Sequence, residues 1–161
     1  MARIALFADV QNVYYTARET FHCQVNYAAL WRHAVGEDTV AAARAYAIER
    51  HDPRQQQFQH ALRDIGFEVR LKPFIQRRDG SAKGDWDVGI TLDMFETAQA
   101  VDRVVLISGD GDFAELLTRV RQRFGVSADV YGVQALTAQA LKQAADRFVP
   151  IEGVFLQNAR R

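Results

Sequence analysis

Residues 104–113 read Val104-Val105-Leu106-Ile107-Ser108-Gly109-Asp110-Gly111-Asp112-Phe113, an apolar run followed by an acidic turn punctuated with glycine. The apolar run predicts a buried strand, and the amphipathic stretch that begins at Phe113 predicts a helix. In open α/β folds, ligands bind at the edge of the sheet where parallel strands end. We therefore expect Asp110 and Asp112 to lie at a ligand-binding edge.

Apolar runs alternate with helical patterns along the chain, which predicts an α/β fold of three layers with a mainly parallel central sheet. The segment from Ile75 to Gly84 fits neither pattern and is expected to form an exposed, mobile loop or a short hairpin extension. The predicted strands are Arg3–Ala8, Val40–Ile48, Phe67–Phe74, Val104–Ser108, Ala128–Gly132 and Phe148–Ile151. The predicted helices are Asn12–Phe21, Tyr27–Val35, Pro53–Ile65, Trp86–Ala100, Phe113–Phe124 and Leu136–Ala145.

The composition is that of an ordinary globular protein. The 161 residues have 48% hydrophobic content and a net charge of zero, and we expect a single domain over residues 1–161. No apolar run reaches membrane-spanning length, and the run that ends at Asp9 is too short for a signal peptide. The one cysteine, Cys23, excludes an intramolecular disulfide and fits a cytoplasmic location. Zero net charge disfavours non-specific binding of nucleic acid by the whole surface but allows a local basic groove.

Acidic residues follow two of the predicted strands. Asp9 ends the first strand, with Asn12 just beyond it, and Asp110 and Asp112 follow the fourth. If Val10 and Gln11 form the turn into the helix, Asp9 and Asn12 both face the carboxyl edge of the sheet. The first and fourth strands of such a series are commonly neighbours, so we expect the two acidic turns to converge on one crevice.

A further carboxylate is expected from Asp87, in the first turn of the helix predicted to begin at Trp86. Asp85 is more consistent with a cap for that helix. Asp93 is six residues beyond Asp87 and is rotated roughly 120° around the helix, so both cannot point at one ion. Asp87 is therefore preferred over Asp85 and Asp93.

Converging aspartates without nearby histidine or cysteine favour Mg²⁺ or Mn²⁺ over zinc. Such a site can activate a water and bind a phosphate oxygen, which is the chemistry of phosphodiester hydrolysis. Each aspartate also has a structural interpretation, as a helix cap, a turn former or a charge near a helix N-terminus. It is the occurrence of acid in three separate turns that favours a metal site.

Three motifs together resemble the NYN domain of the PIN-like nuclease superfamily, and specifically its LabA-like (DUF88) branch. They are Phe7-Ala8-Asp9-Val10-Gln11-Asn12, the pair Lys83-Gly84 followed by Asp87, and Ile107-Ser108-Gly109-Asp110-Gly111-Asp112-Phe113. The order, spacing and strand context agree over nearly the whole chain. The residues Asp85-Trp86 stand where a small or apolar residue is expected before Asp87.

The resemblance implies a three-layer, Rossmann-like (PIN-like) fold and a divalent-metal-dependent ribonuclease site. The basic loop before Asp87 could hold a phosphate backbone and fold over a single strand, so single-stranded RNA is the expected partner. It implies that Asp9, Asp87, Asp110 and Asp112 hold Mg²⁺ or Mn²⁺ and carry catalysis, with a metal-activated water as the nucleophile. Residues expected to bind the substrate are Asn12, Ser108, Lys83, Arg77 and Arg78. A homo-oligomer is compatible with the sequence but is not predicted by it.

Other interpretations remain open. The chain could be a regulatory module that keeps the acidic pocket and binds RNA or protein with little or no cleavage. A phosphatase of the haloacid dehalogenase type is disfavoured, because it needs an Asp-x-Asp motif after the first strand and Gln11 occupies the second acidic position. Tyr14, Tyr15 and Trp86 are candidates for stacking on bases, or for ordinary packing.

Overall fold

A six-stranded, all-parallel sheet forms the centre of the protein. The computed structural model describes residues 1–73, 75–76, 82–83 and 85–157, the two short internal segments by their backbone alone. The strand order is β3-β2-β1-β6-β7-β8. These strands are β1 (Arg3–Asp9), β2 (Thr39–Glu49), β3 (Glu68–Pro73), β6 (Arg103–Ile107), β7 (Ser127–Gly132) and β8 (Arg147–Pro150). The expected α/β class and the mainly parallel sheet are confirmed.

Helices cover both faces of the sheet. One core cluster joins the sheet to α1, α2 and α3, and a second joins it to α4, α5 and α6. Burial on both faces explains why strands such as β1 and β6 are apolar at successive positions. The helices are α1 (Val10–Phe21), α2 (Tyr27–Val35), α3 (Pro53–Ile65), α4 (Asp87–Ala98), α5 (Ala114–Phe124) and α6 (Gln139–Ala144).

The order of the strands reverses between β1 and β6. These two strands are parallel neighbours, and the last register pair joins Ala8 to Ile107. On its other side β1 pairs with β2, where Asp9 is opposite Tyr46. A crevice at the carboxyl ends of the strands is expected where the order reverses. The carboxyl ends of β1 and β6 therefore lie side by side, as the sequence predicted.

Four predicted helix starts differ from the structure: α4 and α5 begin one residue later than predicted, and α1 and α6 differ by more. Helix α1 begins at Val10, directly after β1, so the expected turn through Val10 and Gln11 is wrong. The helix predicted from Leu136 begins only at Gln139, because Gln134–Leu136 forms a separate 3₁₀ turn and Thr137 is extended. The hydroxyl of Thr137 donates a hydrogen bond to the Val133 carbonyl at 2.7 Å, which holds that irregular connection in place.

Part of the segment 75–84 forms a hairpin. The two-residue strands β4 (Ile75–Gln76) and β5 (Ala82–Lys83) pair antiparallel, with Ile75 opposite Lys83. This agrees with the hairpin alternative, while residues 77–81 and 84 lie outside the described part of the chain. Within the described ranges, no helix has the length and apolar character needed to cross a membrane.

Candidate metal centre

Three aspartates from separate parts of the chain meet at the carboxyl edge of the sheet. Asp9, Asp87 and Asp110 each offer one carboxylate oxygen, and these oxygens lie within 4.8 Å of one another. Asp9 ends β1, Asp87 is the first residue of α4, and Asp110 follows β6. Asp9 is buried, whereas Asp87 and Asp110 are partly exposed. The cluster is therefore open to solvent on one side.

Ser108 connects the two strands that carry this site. Its hydroxyl donates to the Asp9 carboxylate at 3.1 Å and accepts from the backbone N–H of Asp110, also at 3.1 Å. Asn12 makes a second connection, because its side-chain oxygen accepts from the backbone N–H of Gly109 at 2.8 Å. These bonds hold the start of α1 against the turn after β6.

Gly109 and Gly111 lie in this turn, where neighbouring atoms leave no room for a side chain. A Cβ at Gly109 would lie 2.8 Å from the Leu136 carbonyl oxygen, and a Cβ at Gly111 would lie 2.8 Å from the Cβ of Ala138. The connection between β7 and α6 thus packs directly on the acidic turn. Within the turn, Asp110 accepts from the backbone N–H of Asp112 at 2.9 Å, which caps the 3₁₀ turn Gly111–Phe113.

Trp86 fixes the start of α4 and so positions Asp87. Its indole N–H donates to the Ala47 carbonyl at the end of β2, at 2.9 Å. Its ring centroid lies 5.2 Å from that of Tyr46. The ring also packs on Gly89, where an added Cβ would lie 2.6 Å from the indole carbon Cε3. The tryptophan that departs from the expected motif is therefore an anchor between α4 and the sheet.

Burial and nearby negative charge disfavour the ionisation of Asp9 and Asp87. Burial raises the pKa of Asp9 to about 6, although the hydrogen bond from Ser108 partly offsets this effect by lowering the pKa. Burial also raises the pKa of Asp87 to about 7, and the charge of Asp110 and a hydrogen bond with it add to the effect. None of the ion pairs within the described part of the chain includes Asp9, Asp87 or Asp110. The cluster thus combines proximity and burial with uncompensated negative charge.

Helix N-termini face the same edge. Asp9 immediately precedes α1, Asp87 begins α4, and Asp110 precedes the 3₁₀ turn that leads into α5. The partial positive charge at a helix N-terminus favours anions, so these ends offset part of the mutual repulsion of the carboxylates. A bound cation would neutralise the negative charge that the helix N-termini leave uncompensated.

The donor set fits a divalent cation. All three groups are carboxylates, and hard ions such as Mg²⁺ and Mn²⁺ prefer oxygen ligands. Burial and the charge of neighbouring carboxylates raise the pKa values of Asp9 and Asp87, and a bound cation would offset both effects. Asp9, Asp87 and Asp110 are the residues that would hold the ion.

The other acidic candidates lie apart from this group. Asp112 is exposed at the beginning of the 3₁₀ turn and is not a member of the three-carboxylate cluster. Asp85 accepts from the backbone N–H of Asp87 at 3.2 Å, but Trp86 and not Asp85 occupies the N-cap position of α4, because the helix begins one residue later than expected. Asp93 accepts from the Tyr46 hydroxyl at 2.7 Å and pairs with Arg70 at 3.5 Å, so it belongs to the packing between α4 and the sheet.

The expected substrate-binding residues divide into two groups. Ser108 and Asn12 lie beside the carboxylates, and their described hydrogen bonds are made within the protein. Arg77, Arg78 and the side chain of Lys83 lie outside the described residues. The sequence did not predict that Trp86 and Ser108 position the aspartates. The sequence features that could have indicated these roles are a tryptophan next to a helix start and a serine between a strand and a turn.

The fold and site define a class of protein: a three-layer α/β domain with an acidic centre where strand order reverses. The NYN domain family model matches residues 3–152, and the chain belongs to that family. The resemblance derived from the three motifs is thereby confirmed, together with the PIN-like fold that it implies.

Two other proteins are similar to this chain over nearly its full length. It is 27% identical, over 99% of its length and 90% of the relative's, to the Low amplitude and bright protein LabA of Synechococcus elongatus. It is 57% identical to a protein of unknown function from Vibrio parahaemolyticus, whose crystal structure superposes with a TM-score of 0.92. That comparison covers 96% of each chain.

Proposed function

We propose that this protein is a divalent-metal-dependent ribonuclease that hydrolyses phosphodiester bonds of single-stranded RNA. The observation that carries the proposal is the convergence of Asp9, Asp87 and Asp110 within 4.8 Å at the carboxyl edge of the sheet. Membership of the NYN family, which is part of the PIN-like nuclease superfamily, supports the same reaction class.

The chain's own residues have distinct tasks in this proposal. Asp9, Asp87 and Asp110 bind the cation, and Ser108 keeps the first and last of these in register through its two hydrogen bonds. Bound Mg²⁺ or Mn²⁺ supplies a Lewis acid for the phosphate and activates water. The helix N-termini at this edge favour the phosphate electrostatically. Hydrolysis by a metal-activated water then needs no side-chain nucleophile.

Asp112 has a separate place in the proposal. It is exposed and outside the three-carboxylate group, so it would act on the ion only through water, as Mg²⁺ bound by few carboxylates retains several waters. Lys83, Arg77 and Arg78 precede Asp87 in sequence, and we propose that they bind the phosphate backbone of the RNA.

The proposal is tested with a labelled RNA and added Mn²⁺. Asp9→Asn, Asp87→Asn and Asp110→Asn should each abolish cleavage and weaken Mn²⁺ binding measured by calorimetry. Asn is nearly isosteric with Asp and relieves the repulsion, so these variants should remain folded. Asp64→Asn, an exposed aspartate of α3, is the matched control. Unchanged cleavage by Asp9→Asn and Asp110→Asn would show that the reaction occurs elsewhere.

The same assay addresses the alternative, a regulatory module that binds RNA without cutting it. The position of Asp112 outside the carboxylate group is the observation that favours this alternative, because the described cluster contains three rather than four acids. If the protein binds both Mn²⁺ and RNA but cleaves none of many RNA sequences, the regulatory module would replace the nuclease as the proposed function.

A further inference from the structure

A groove lies beside the acidic cluster on the α1 side of the sheet. Its volume is about 510 Å³, and its walls come from α1, the carboxyl end of β2 and the beginning of α3. Val10 and Gln11, the two residues that follow Asp9, line its near end. The groove, called here the α1–α3 groove, is thus lined by the residues that directly follow Asp9, although the three aspartates are not themselves part of its lining.

One face of α1 forms the long wall of the α1–α3 groove. Gln11, Tyr14, Tyr15 and Arg18 all line it, and their spacing of three, four and seven residues places them on one side of the helix. From Gln11 to Arg18 the helix rises about 10 Å. A polymer with one phosphate at the carboxylates would therefore have its adjoining units beside this face.

The tyrosines present aromatic surface to the groove. Tyr14 is 41% exposed and Tyr15 is 53% exposed, values that are unusual for rings on a helix otherwise packed on the core. Their ring centroids are 5.4 Å apart in an edge-to-face arrangement, and the Arg18 guanidinium donates to the Tyr14 hydroxyl. Exposed aromatic rings with an adjacent arginine are the usual platform for unpaired bases.

The charge of the groove differs from that of the whole chain. Its lining includes the positive residues Arg18, Arg50 and Arg54 and one acid, Asp52, whereas the chain as a whole is neutral. The Asp52 carboxylate accepts from the backbone N–H of Arg54 at 2.8 Å and caps α3. The excess of positive charge is therefore local, as expected for a surface that binds a polyanion.

The wall opposite α1 is held by Gln55. Its side-chain oxygen accepts from the backbone N–H of Arg50 at 2.7 Å, and its amide donates to the Ile48 carbonyl. The connection from β2 to α3 is thus tied to α3, and the groove keeps its shape without a ligand. A preformed site loses less entropy when it binds a flexible strand.

We propose that the α1–α3 groove binds the nucleotides adjoining the cleaved bond of single-stranded RNA, with Tyr15 stacking on a base and Arg18 and Arg54 contacting phosphates. The assignment rests on the proposed function, because that function puts a phosphodiester at Asp9, Asp87 and Asp110. The groove assignment adds a path for the bound RNA, which runs from the acidic cluster along α1.

The test measures RNA affinity in the Asp110→Asn background, where the RNA stays intact. The probe is a fluorescein-labelled oligouridylate, followed by anisotropy. Tyr15→Ala and Arg18→Ala should each raise the Kd about fivefold or more, and Tyr15→Phe should leave it close to the parent value. Arg119→Ala, an exposed arginine of α5, is the matched control. Circular dichroism checks that each variant is folded.

An abasic oligonucleotide separates stacking from charge. It should bind the parent more weakly, and it should be insensitive to Tyr15→Ala while remaining sensitive to Arg18→Ala. Equal affinities for all groove variants and Arg119→Ala, or no RNA binding by the parent, would overturn the assignment.

Cleavage by otherwise native protein distinguishes the two proposals. Groove-dependent RNA binding without cleavage in Mn²⁺ would keep the groove as a binding site for single-stranded RNA and reject the ribonuclease. Cleavage with an unchanged KM in Tyr15→Ala and Arg18→Ala would keep the ribonuclease and reject the groove.

Discussion

Asp9 occupies the junction between a strand and a helix, with no intervening turn. It is the last residue of β1 and the residue before α1, and its side chain is 7% exposed. A carboxylate in such a position can move only with the sheet or the helix. This rigidity costs stability when the group is ionised and unpaired, and it provides a fixed ligand when a cation is bound.

The raised pKa values of Asp9 and Asp87 predict how stability depends on pH. Both groups have an ordinary pKa of 3.8, and in the folded protein the values are about 6 and about 7. Between these limits the folded protein keeps protons that the unfolded chain has lost, so the free energy of unfolding of the metal-free protein should fall as pH rises from 3.8 to about 7. Thermal unfolding in EDTA across this range measures the effect.

Two comparisons check that the aspartates cause this dependence. Asp87→Asn should flatten the pH profile, whereas Asp64→Asn should not. Mn²⁺ affinity should increase over the same range, because protons compete with the ion for the carboxylates. A metal-free protein that becomes more stable as pH rises through this range would contradict the assigned electrostatics.

At the scale of elements, Trp86 anchors the beginning of α4 to the carboxyl end of β2. Trp86→Phe keeps an aromatic ring against Tyr46 and removes the donor to the Ala47 carbonyl. We expect the free energy of unfolding to fall by about 1 kcal/mol and Mn²⁺ to bind more weakly, since Asp87 follows directly in the helix. Chemical denaturation and calorimetry measure the two quantities.

Trp31→Phe provides the matched control for this substitution. Trp31 packs on Phe67, with ring centroids 5.1 Å apart, in the core cluster on the opposite face of the sheet. Its replacement should also lower stability but should leave Mn²⁺ affinity unchanged. Equal losses of affinity in the two variants would mean that Trp86 acts through general stability and not through Asp87.

Helix boundaries could be predicted where the signals are local. The predicted bounds of α2 and α3 match the structure, because Asn26 and Asp52 cap their beginnings and Gly36 and Gly66 follow their ends. The beginning of α6 could not be predicted in this way. It depends on Thr137 and on the packing of the preceding connection against Gly109, a contact between residues far apart in the chain.

The same distinction applies to the site. Topology alone predicted that the turns after β1 and β6 would be adjacent, and helical geometry favoured Asp87 over Asp93. The hydrogen bond from Tyr46 to Asp93 and the role of Trp86 depend on how α4 packs on β2. Sequence periodicity predicts that a helix covers a sheet, but it does not predict which side chains meet.

For the whole molecule, we expect a bound cation to contribute to the stability of the fold. Mn²⁺ links β1, α4 and the turn after β6 only in the folded state, so it should raise the melting temperature. At a free concentration about a hundred times the Kd, the gain is about 2.7 kcal/mol. Differential scanning calorimetry with Mn²⁺ and with EDTA measures it. Asp110→Asn should remove the gain and Asp64→Asn should retain it, and a gain equal in both variants would place the ion elsewhere.

The wide separation of the site residues in the chain has a consequence for biosynthesis. Asp9 and Ser108 are 99 residues apart, and β6 must insert beside β1 before Asp110 can reach Asp9 and Asp87. A polypeptide still emerging from the ribosome has β1 and α1 long before it has β6. The acidic centre is therefore incomplete until β6 and the turn that follows it have been synthesised. The proposed ribonuclease would therefore have no assembled centre with which to cut the messenger that encodes it until Asp110 has been added to the chain.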